Sequence, residues 1–174
     1  MNNEEKYKIA FRFTAGTSSG LSFLEDYLYD KKNTDIAYIR SIYILLSYHV
    51  ELLLKSRVVM TGSFSDKDKL KAKLTKLSHD LTKIGQELNK VELSKIGIKN
   101  ITKNGTKFII ETVNNIKIKT EDFTDIRYDY LFGKMRTISD NEYKEIKDYI
   151  EELFKILNLI EKYNEEDKDC KNNK

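Results

Sequence analysis

The longest apolar stretch of the chain constrains its fold more than any other feature. It runs from Asp35 to Gly62, DIAYIRSIYILLSYHVELLLKSRVVMTG, and its apolar residues fall on nearly every side of a helix. A helix of this kind is enclosed by other elements, so we expect it at the centre of a helical bundle. Thr34 or Asp35 is the expected N-terminal cap, and Gly62 is the expected C-terminal cap after a helix end at about Thr61.

The rest of the chain predicts further helices, and the absence of proline favours long ones. Residues 3–31 are predicted to be helical with a break at Thr14–Gly20, because TAGTSSG combines two glycines with several hydroxyl residues. Short helical segments are expected at 70–77 and 81–91. The capping box Ser139–Glu142 opens a last helix, periodic to about Tyr163, and the polar tail 164–174 is predicted to be disordered.

Between these helices the hydrophobic period changes from helical to alternating. The pair Asn104–Gly105 separates two alternating segments, which is typical of a hairpin with a type I′ turn. Residues 116–120 also alternate and are predicted to form a third strand. The predicted fold is therefore all-α, a helical domain with a small β-hairpin insertion at about 98–120. Length favours a single domain, residues 1–163.

Charge is unevenly distributed along the chain, although the formal net charge is only +3. Residues 67–119 contain 13 lysines against 5 acidic residues, a difference of +8, whereas residues 140–169 contain 11 acidic residues against 5 lysines, a difference of −6. Two interpretations remain open at this level. The lysines belong to ordinary solvated helix faces, or the lysine-rich middle binds nucleic acid.

Signals for secretion, membrane insertion and metal binding are missing from the sequence. The only cysteine, Cys170, cannot form an internal disulfide, and the two histidines are too few for a metal site. The start MNNEEKYK does not resemble a signal peptide, and polar residues interrupt the apolar stretch before it reaches membrane-spanning length. We therefore expect a cytoplasmic protein with no metal, no cofactor and no membrane partner.

Two histidines are candidates for proton transfer. His49 is near Glu51 and Lys55 in sequence, but an ideal helix turns those side chains well away from it. A hydrogen-bonded core histidine is therefore the favoured interpretation of His49. Glu51 is expected to pair with Lys55 on the helix surface, or partly buried and ordering the packing if the helix is enclosed. His79 stands in Ser-His-Asp, which is typical of a helix start. Its functional interpretation is a proton carrier near Arg127 or Asp129.

The segment from Arg127 to Arg136 is the third candidate. Tyrosines beside arginine and lysine can stack on bases and contact phosphates, or they can plug the end of a helical bundle. Both interpretations stay open. The candidate binding residues are Arg127, Tyr128, Asp129, Tyr130, Arg136 and His79.

Three strings in the chain together resemble the HEPN domain superfamily: Tyr48-His-Val-Glu-Leu-Leu-Leu-Lys55, Leu77-Ser-His-Asp-Leu81 and Arg127-Tyr-Asp-Tyr130. They are similar to the HxxELLLKA-like second helix, the HDL helix start and the RY segment of that superfamily, except that His49 stands two rather than three residues before Glu51. The resemblance covers about residues 20–160. It implies an all-α, up-and-down helical bundle that often dimerises, with the β-hairpin as an insertion between core helices. The implied functions include ribonucleases of toxin–antitoxin and defence systems, partners of minimal nucleotidyltransferases and non-catalytic RNA-binding domains.

The ribonucleases of this superfamily share an arginine and a later histidine with four to six residues between them. No arginine stands at 42–44 before His49 or at 72–74 before His79, and no histidine stands at 132–134 after Arg127. We therefore assign no catalytic residue. The resemblance then implies a non-catalytic domain that forms a homodimer and binds a nucleotidyltransferase protein or RNA. The alternative is an atypical metal-independent ribonuclease that uses Arg127 with His79 or His49.

Overall fold

Six helices and one three-stranded antiparallel sheet make up the described part of the chain, which comprises residues 1–32, 39–121 and 138–169 of a computed structural model. The predicted combination of a mainly helical domain with a small amount of β structure is confirmed. In chain order the elements are α1 (Asn3–Lys32), α2 (Ile39–Thr61), α3 (Lys67–Leu77), α4 (Leu81–Glu87), α5 (Lys90–Lys95), β1 (Ile98–Asn104), β2 (Lys107–Thr112), β3 (Lys117–Glu121) and α6 (Asp140–Asp169).

The central position predicted for the apolar stretch is correct. Helix α2 packs against α1, α4, α6 and β3, and residues on most of its sides are buried, including Leu46, Val50 and Leu54. Together with α1, α6 and the sheet it forms one hydrophobic core. No helix in the described ranges combines the length and the apolar content needed to cross a membrane.

Gly62 ends α2, as predicted, but not through the left-handed conformation that glycine caps usually adopt. Its N–H donates to the C=O of Val58 at 3.0 Å. A Cβ at Gly62 would lie 2.5 Å from the ring of Phe64 and 2.8 Å from the Val58 oxygen, so only glycine lets the chain turn back this closely. The caps expected at Thr34 or Asp35 lie outside the described residues.

Helix α1 is continuous over 30 residues, so the predicted break at Thr14–Gly20 is wrong. The hydroxyl residues that suggested a turn take part in helix packing instead. Thr14 and Thr17 are buried, and the Thr14 hydroxyl donates to the C=O of Phe11 at 3.1 Å. Gly20 admits the imidazole ring of His49 from α2, since a Cβ there would lie 2.0 Å from the ring. Tertiary packing therefore outweighs the local preference of the segment for a turn.

Helix α6 begins with the predicted capping box. The backbone N–H of Ser139 donates to the Glu142 carboxylate at 3.2 Å, and the N–H of Glu142 donates to the Ser139 hydroxyl at 3.3 Å. The helix runs to Asp169, beyond the end expected at about Tyr163. It continues because Asn164 is buried and hydrogen-bonded to α2, which anchors the extra turns. Residues 170–174 lie outside the described part.

The predicted hairpin and third strand are both present, in the order β1-β2-β3. Asn104 pairs with Lys107 across the turn, and only Gly105 of the two loop residues has a positive φ, +59°. A type I′ turn needs positive φ at both loop residues, so the turn is not the predicted type; glycine at the first position fits type II′. Phe108, Ile110 and Ile118 are fully buried, so the inner face of the sheet belongs to the main core.

Candidate functional site

A cleft of about 730 Å³ lies between α1, α2 and α3. Apolar side chains from all three helices line it, and polar groups come from α2, from α3 and from the turn after α3. The lining residues are Ile9 and Phe13 of α1, Tyr48, Glu51, Leu52 and Lys55 of α2, Lys67, Asp68, Leu70, Lys71, Leu74 and Thr75 of α3, and Ser78 and His79 of the turn. A concave surface that combines apolar and converging polar groups is the usual form of a binding site.

The buried carboxylate of Glu51 links two cationic or titratable groups of the cleft. Its Oε1 lies 2.6 Å from Nζ of Lys55, one turn later on α2, and its Oε2 lies 2.8 Å from Nδ1 of His79. The Glu51 side chain is 7% exposed, Lys55 12% and His79 37%. A carboxylate only accepts hydrogen bonds, so Nδ1 of His79 carries the proton in this contact, and Glu51 fixes the orientation of the imidazole ring.

Local chemistry holds His79 in position. Helix α3 ends at Leu77, and Ser78 adopts a positive φ of 52° while its N–H donates to Thr75. Asp80 then caps α4 by accepting from Thr82 and Lys83. Burial raises the pKa of Asp80, but these hydrogen bonds outweigh it and leave the pKa below its ordinary value. The predicted helix start at Ser-His-Asp is correct, and it presents His79 to the cleft.

The α3 side of the cleft is strongly basic. The helix contains five lysines and one aspartate, and Lys67 and Lys71 line the cleft. Lys73 pairs with Glu87 at 2.6 Å, whereas Lys67 and Lys71 have no ion-pair partner within the described ranges. On the α2 side, Tyr48 is 47% exposed. The cleft therefore offers solvated cations and an aromatic ring to the same ligand.

His49 does not belong to this site. It is 5% exposed, and its ring lies against Gly20. Desolvation by burial lowers its pKa to about 4, so the imidazole is neutral near pH 7. The prediction of a core histidine is confirmed, but the expected hydrogen bonding is incomplete, since the buried Nδ1 has no partner among the described residues. The pairing predicted for Glu51 with Lys55 is also confirmed, although it lies inside the cleft rather than on an open surface.

A second polar cluster, centred on Arg57, joins three helices. Nη1 of this buried arginine lies 2.8 Å from Oδ1 of Asn164 and 2.9 Å from Asp167, and Nη2 lies 2.7 Å from Glu92 of α5. Burial raises the pKa of Glu92, but hydrogen bonds from Lys95 and Arg57 outweigh it and leave the pKa low. Because these groups pair with one another inside the fold, the cluster orders α2, α5 and α6.

The sequence-predicted site is described only in part. Of its six residues, His79 lies in the cleft, whereas Arg127, Tyr128, Asp129, Tyr130 and Arg136 lie outside the described residues. Sequence reasoning missed the link between Glu51 and His79, which are 28 positions apart. The signal that pointed toward it was the glutamate at an otherwise apolar position of a central helix, since a buried carboxylate requires a partner.

Comparison of the chain with protein-family models, with curated proteins and with solved structures found no match.

Proposed function

We propose that the chain is a HEPN-like helical domain that binds single-stranded RNA in the cleft between α1, α2 and α3 and does not cleave it. The observation that carries this proposal is the pair Lys67 and Lys71, which have no ion-pair partner among the described residues and line the same cleft as the exposed Tyr48. The three HEPN-like strings support the family part of the proposal, as does the mainly helical architecture. The missing arginine–histidine motif supports the absence of cleavage.

The lysine side of the cleft suits the phosphates of an RNA strand, and the aromatic side suits its bases. Exposed lysines such as Lys67 and Lys71 neutralise phosphates and release counterions on binding. Tyr48 and Phe13 offer ring faces on which bases stack, which contributes about 1–3 kcal/mol per base. Lys55 pairs with the Glu51 carboxylate, so its charge is offset within the fold. Most of the affinity for phosphate is therefore expected from α3.

The experiment is a titration of a fluorescent twelve-nucleotide oligouridylate with the full chain at several salt concentrations. We expect binding that weakens steeply with salt. Reversing two phosphate-binding charges should lower the affinity roughly tenfold or more, and it should reduce the slope of log K against log[salt] by about 0.7 per lost contact. The test variant is Lys67→Glu with Lys71→Glu. The control is Lys147→Glu with Lys162→Glu, two exposed lysines on α6, which changes the net charge equally.

Equal losses in both double variants would mean that net charge, not the cleft, attracts RNA. No binding at low salt would overturn the proposal and favour a protein partner, such as the nucleotidyltransferase that the resemblance implies. Tyr48→Ala provides an independent check on stacking, because this half-exposed ring can be removed without opening the core. Binding unaffected by that substitution would contradict the proposed contact with bases.

A ribonuclease is the second candidate, and the hydrogen bond between Glu51 and His79 favours it. A carboxylate that accepts from an imidazole orients the ring, and an oriented histidine is the usual general base toward a hydroxyl nucleophile such as that of ribose. The same oligonucleotide, incubated with the chain in a chelator, distinguishes the two functions. Cleavage that His79→Gln abolishes and Tyr48→Ala only weakens would favour the ribonuclease. An intact strand after prolonged incubation would favour binding alone.

A further inference from the structure

Phe23 of α1 has an exposure that the cleft between α1, α2 and α3 does not explain. It is 65% exposed, and its ring stacks on Tyr27 four positions later, with 6.4 Å between the ring centroids and 23° between the ring planes. A single exposed apolar residue needs no explanation, but a contiguous apolar surface marks a binding site. The residues around Phe23 therefore decide what its exposure means.

The surface beside Phe23 follows the line along which α1 and α2 meet. The two helices run antiparallel, because the Ser56 hydroxyl donates to the C=O of Ala10 at 3.1 Å and the His49 ring lies against Gly20. A ligand that moves along α1 from the cleft toward Phe23 therefore moves back along α2, toward the first turns of that helix.

Both helices expose apolar side chains along this line beyond the cleft. Phe13 and Tyr48 line the cleft itself, and Phe13 belongs to the cluster through which α3 packs on α1. One turn before Tyr48, Leu45 is 38% exposed, and Tyr48 is 47% exposed. The exposed surface is therefore continuous with the cleft. We call it the α1–α2 groove, and its residues are Gly16, Gly20, Phe23, Leu45 and Tyr48.

Glycine keeps the α1–α2 groove open where it leaves the cleft. Gly16 lies one turn after Phe13, is exposed, and a Cβ there would meet no atom within 4 Å. Glycine in a helix interior is less favourable than alanine, and packing within the fold does not require it at this position. At Gly20 the His49 ring fills the corresponding space and forms part of the floor.

The charges beside the α1–α2 groove suit a nucleic-acid strand that enters from the cleft and ends near Phe23. Arg12 precedes Phe13, is exposed and forms no ion pair within the described part of the chain. Asp26, also exposed, lies one turn beyond Phe23, where it would repel a phosphate. The ten positions from Phe13 to Phe23 span about 15 Å of helix, or about four nucleotides at the spacing of a stacked strand.

We propose that an RNA strand bound in the cleft continues along the α1–α2 groove, where Arg12 contacts a phosphate and a base stacks on Phe23. The stack of Phe23 on Tyr27 holds the ring in place and leaves its other face to the base. This inference rests on the proposed function, since it extends the path of the same strand. It adds that affinity depends on the length of the RNA.

Oligouridylates of four and twelve nucleotides, titrated with the full chain, test the path. The short strand fills the cleft alone, because Lys67 and Lys71 lie there. Phe23→Ala should weaken binding of the twelve-nucleotide strand roughly fivefold or more and leave the four-nucleotide strand unaffected. Tyr48→Ala should weaken both. Equal effects of Phe23→Ala on the two lengths would overturn the inference, because Phe23 would then act through the cleft or the fold.

Phe11→Ala is the matched control for Phe23→Ala. Phe11 is 53% exposed, and it stacks on Tyr7 four positions earlier with 6.3 Å between centroids and 26° between planes. It lies on another face of α1, so its removal should leave the affinity for both lengths unchanged. A loss equal to that of Phe23→Ala would mean that any exposed ring of α1 contributes, and it would overturn the assigned path.

Gly16→Leu tests the groove without removing a contact. The side chain enters open space and leucine is a better helix former, so the midpoint of thermal unfolding should not fall. Binding of the twelve-nucleotide strand should nevertheless weaken roughly fivefold or more, because leucine obstructs the groove. Ser22→Leu, at an exposed position on another face of α1, should leave binding unchanged. Full affinity in Gly16→Leu would overturn the inference.

The two strand lengths separate failure of this inference from failure of the proposed function. If Tyr48→Ala weakens binding but the groove variants do not, RNA binding in the cleft stands and its extension along the groove is wrong. If neither length binds at low salt, both the proposed function and its extension are overturned.

Discussion

The two histidines show that environment, more than residue type, decides what a side chain can do. His49 is enclosed between α1 and α2, where burial favours the neutral ring and lowers the pKa to about 4. His79 stands in a turn, more than a third of its side chain is exposed, and Glu51 fixes one of its nitrogens. The sequence spacing correctly predicted that His49 and Glu51 point in different directions, because the angle between two side chains on one helix depends only on their separation in sequence. It could not reveal that Glu51 faces His79, since that contact depends on how α2 meets the turn after α3.

Burial of His49 makes the stability of the protein depend on pH. The folded-state pKa lies below the ordinary value of about 6.5, so the unfolded chain binds a proton first as the pH falls. The free energy of unfolding should therefore decrease between about pH 6.5 and pH 4, by up to about 3 kcal/mol, and this contribution should be constant below pH 4. Urea unfolding at a series of pH values measures it.

The control for this prediction is His49→Leu, which keeps an apolar side chain against Gly20 and removes the titrating ring. Carboxylates such as Glu92 and Asp80 contribute equally to both profiles, because neither contacts His49. Subtracting the pH profile of the variant from that of the wild type therefore gives the contribution of His49 to the free energy of unfolding. Identical slopes in the wild type and the variant between pH 6.5 and pH 4 would contradict a neutral buried His49.

At the scale of elements, local signals predicted the ends of helices and strands better than their continuity. The capping box at Ser139, the cap at Asp80 and the turn glycine Gly105 act within a few residues, so their chemistry is readable in sequence. The segment Thr14–Gly20 has the composition of a turn, yet it is helical because neighbouring helices bury Thr14 and Thr17. Packing partners distant in sequence supply that stabilisation, and no local pattern reports them.

Gly20→Ala tests whether α1 depends on its contact with His49. A Cβ at position 20 would lie 2.0 Å from the imidazole Cε1, so the ring or the helix must move. We expect a loss of about 1–3 kcal/mol in the free energy of unfolding, as is usual for overpacking, although alanine is the better helix former. Ser22→Ala, on an exposed face two positions later, should be neutral or slightly stabilising.

A double substitution separates the clash from other effects of the methyl group. If overpacking causes the loss, Gly20→Ala should cost much less in a His49→Ala background, and the two substitutions should show a coupling energy of about 1 kcal/mol or more. Additive effects on chemical unfolding would instead mean that the methyl group destabilises α1 independently of the ring.

At the scale of the whole molecule, the sheet is an insertion along the sequence but not a separate unit of the structure. The hairpin and the third strand were predicted from alternation, and they separate α5 from α6 along the chain. Their inner face nevertheless packs in the same core as α2 and α6. Alternation identifies which residues share a face, but it does not say whether that face covers the main core or forms a separate one. The cleft was unpredictable for the same reason, since three helices define it.

Phe108→Ala therefore tests whether the domain can be stable without the sheet. Phe108 is fully buried on β2, and its ring fills the core that the helices share. Truncation should lower the free energy of unfolding by about 3–5 kcal/mol and shift the unfolding of the whole chain, helices included, because one core melts cooperatively. Far-UV circular dichroism at 222 nm, which follows the helices, measures this during thermal unfolding.

Val113→Ala, at a 49% exposed position just after β2, is the control and should change the midpoint of thermal unfolding little. A helical transition that Phe108→Ala leaves unchanged would mean that the sheet is an accessory to the bundle rather than part of its core.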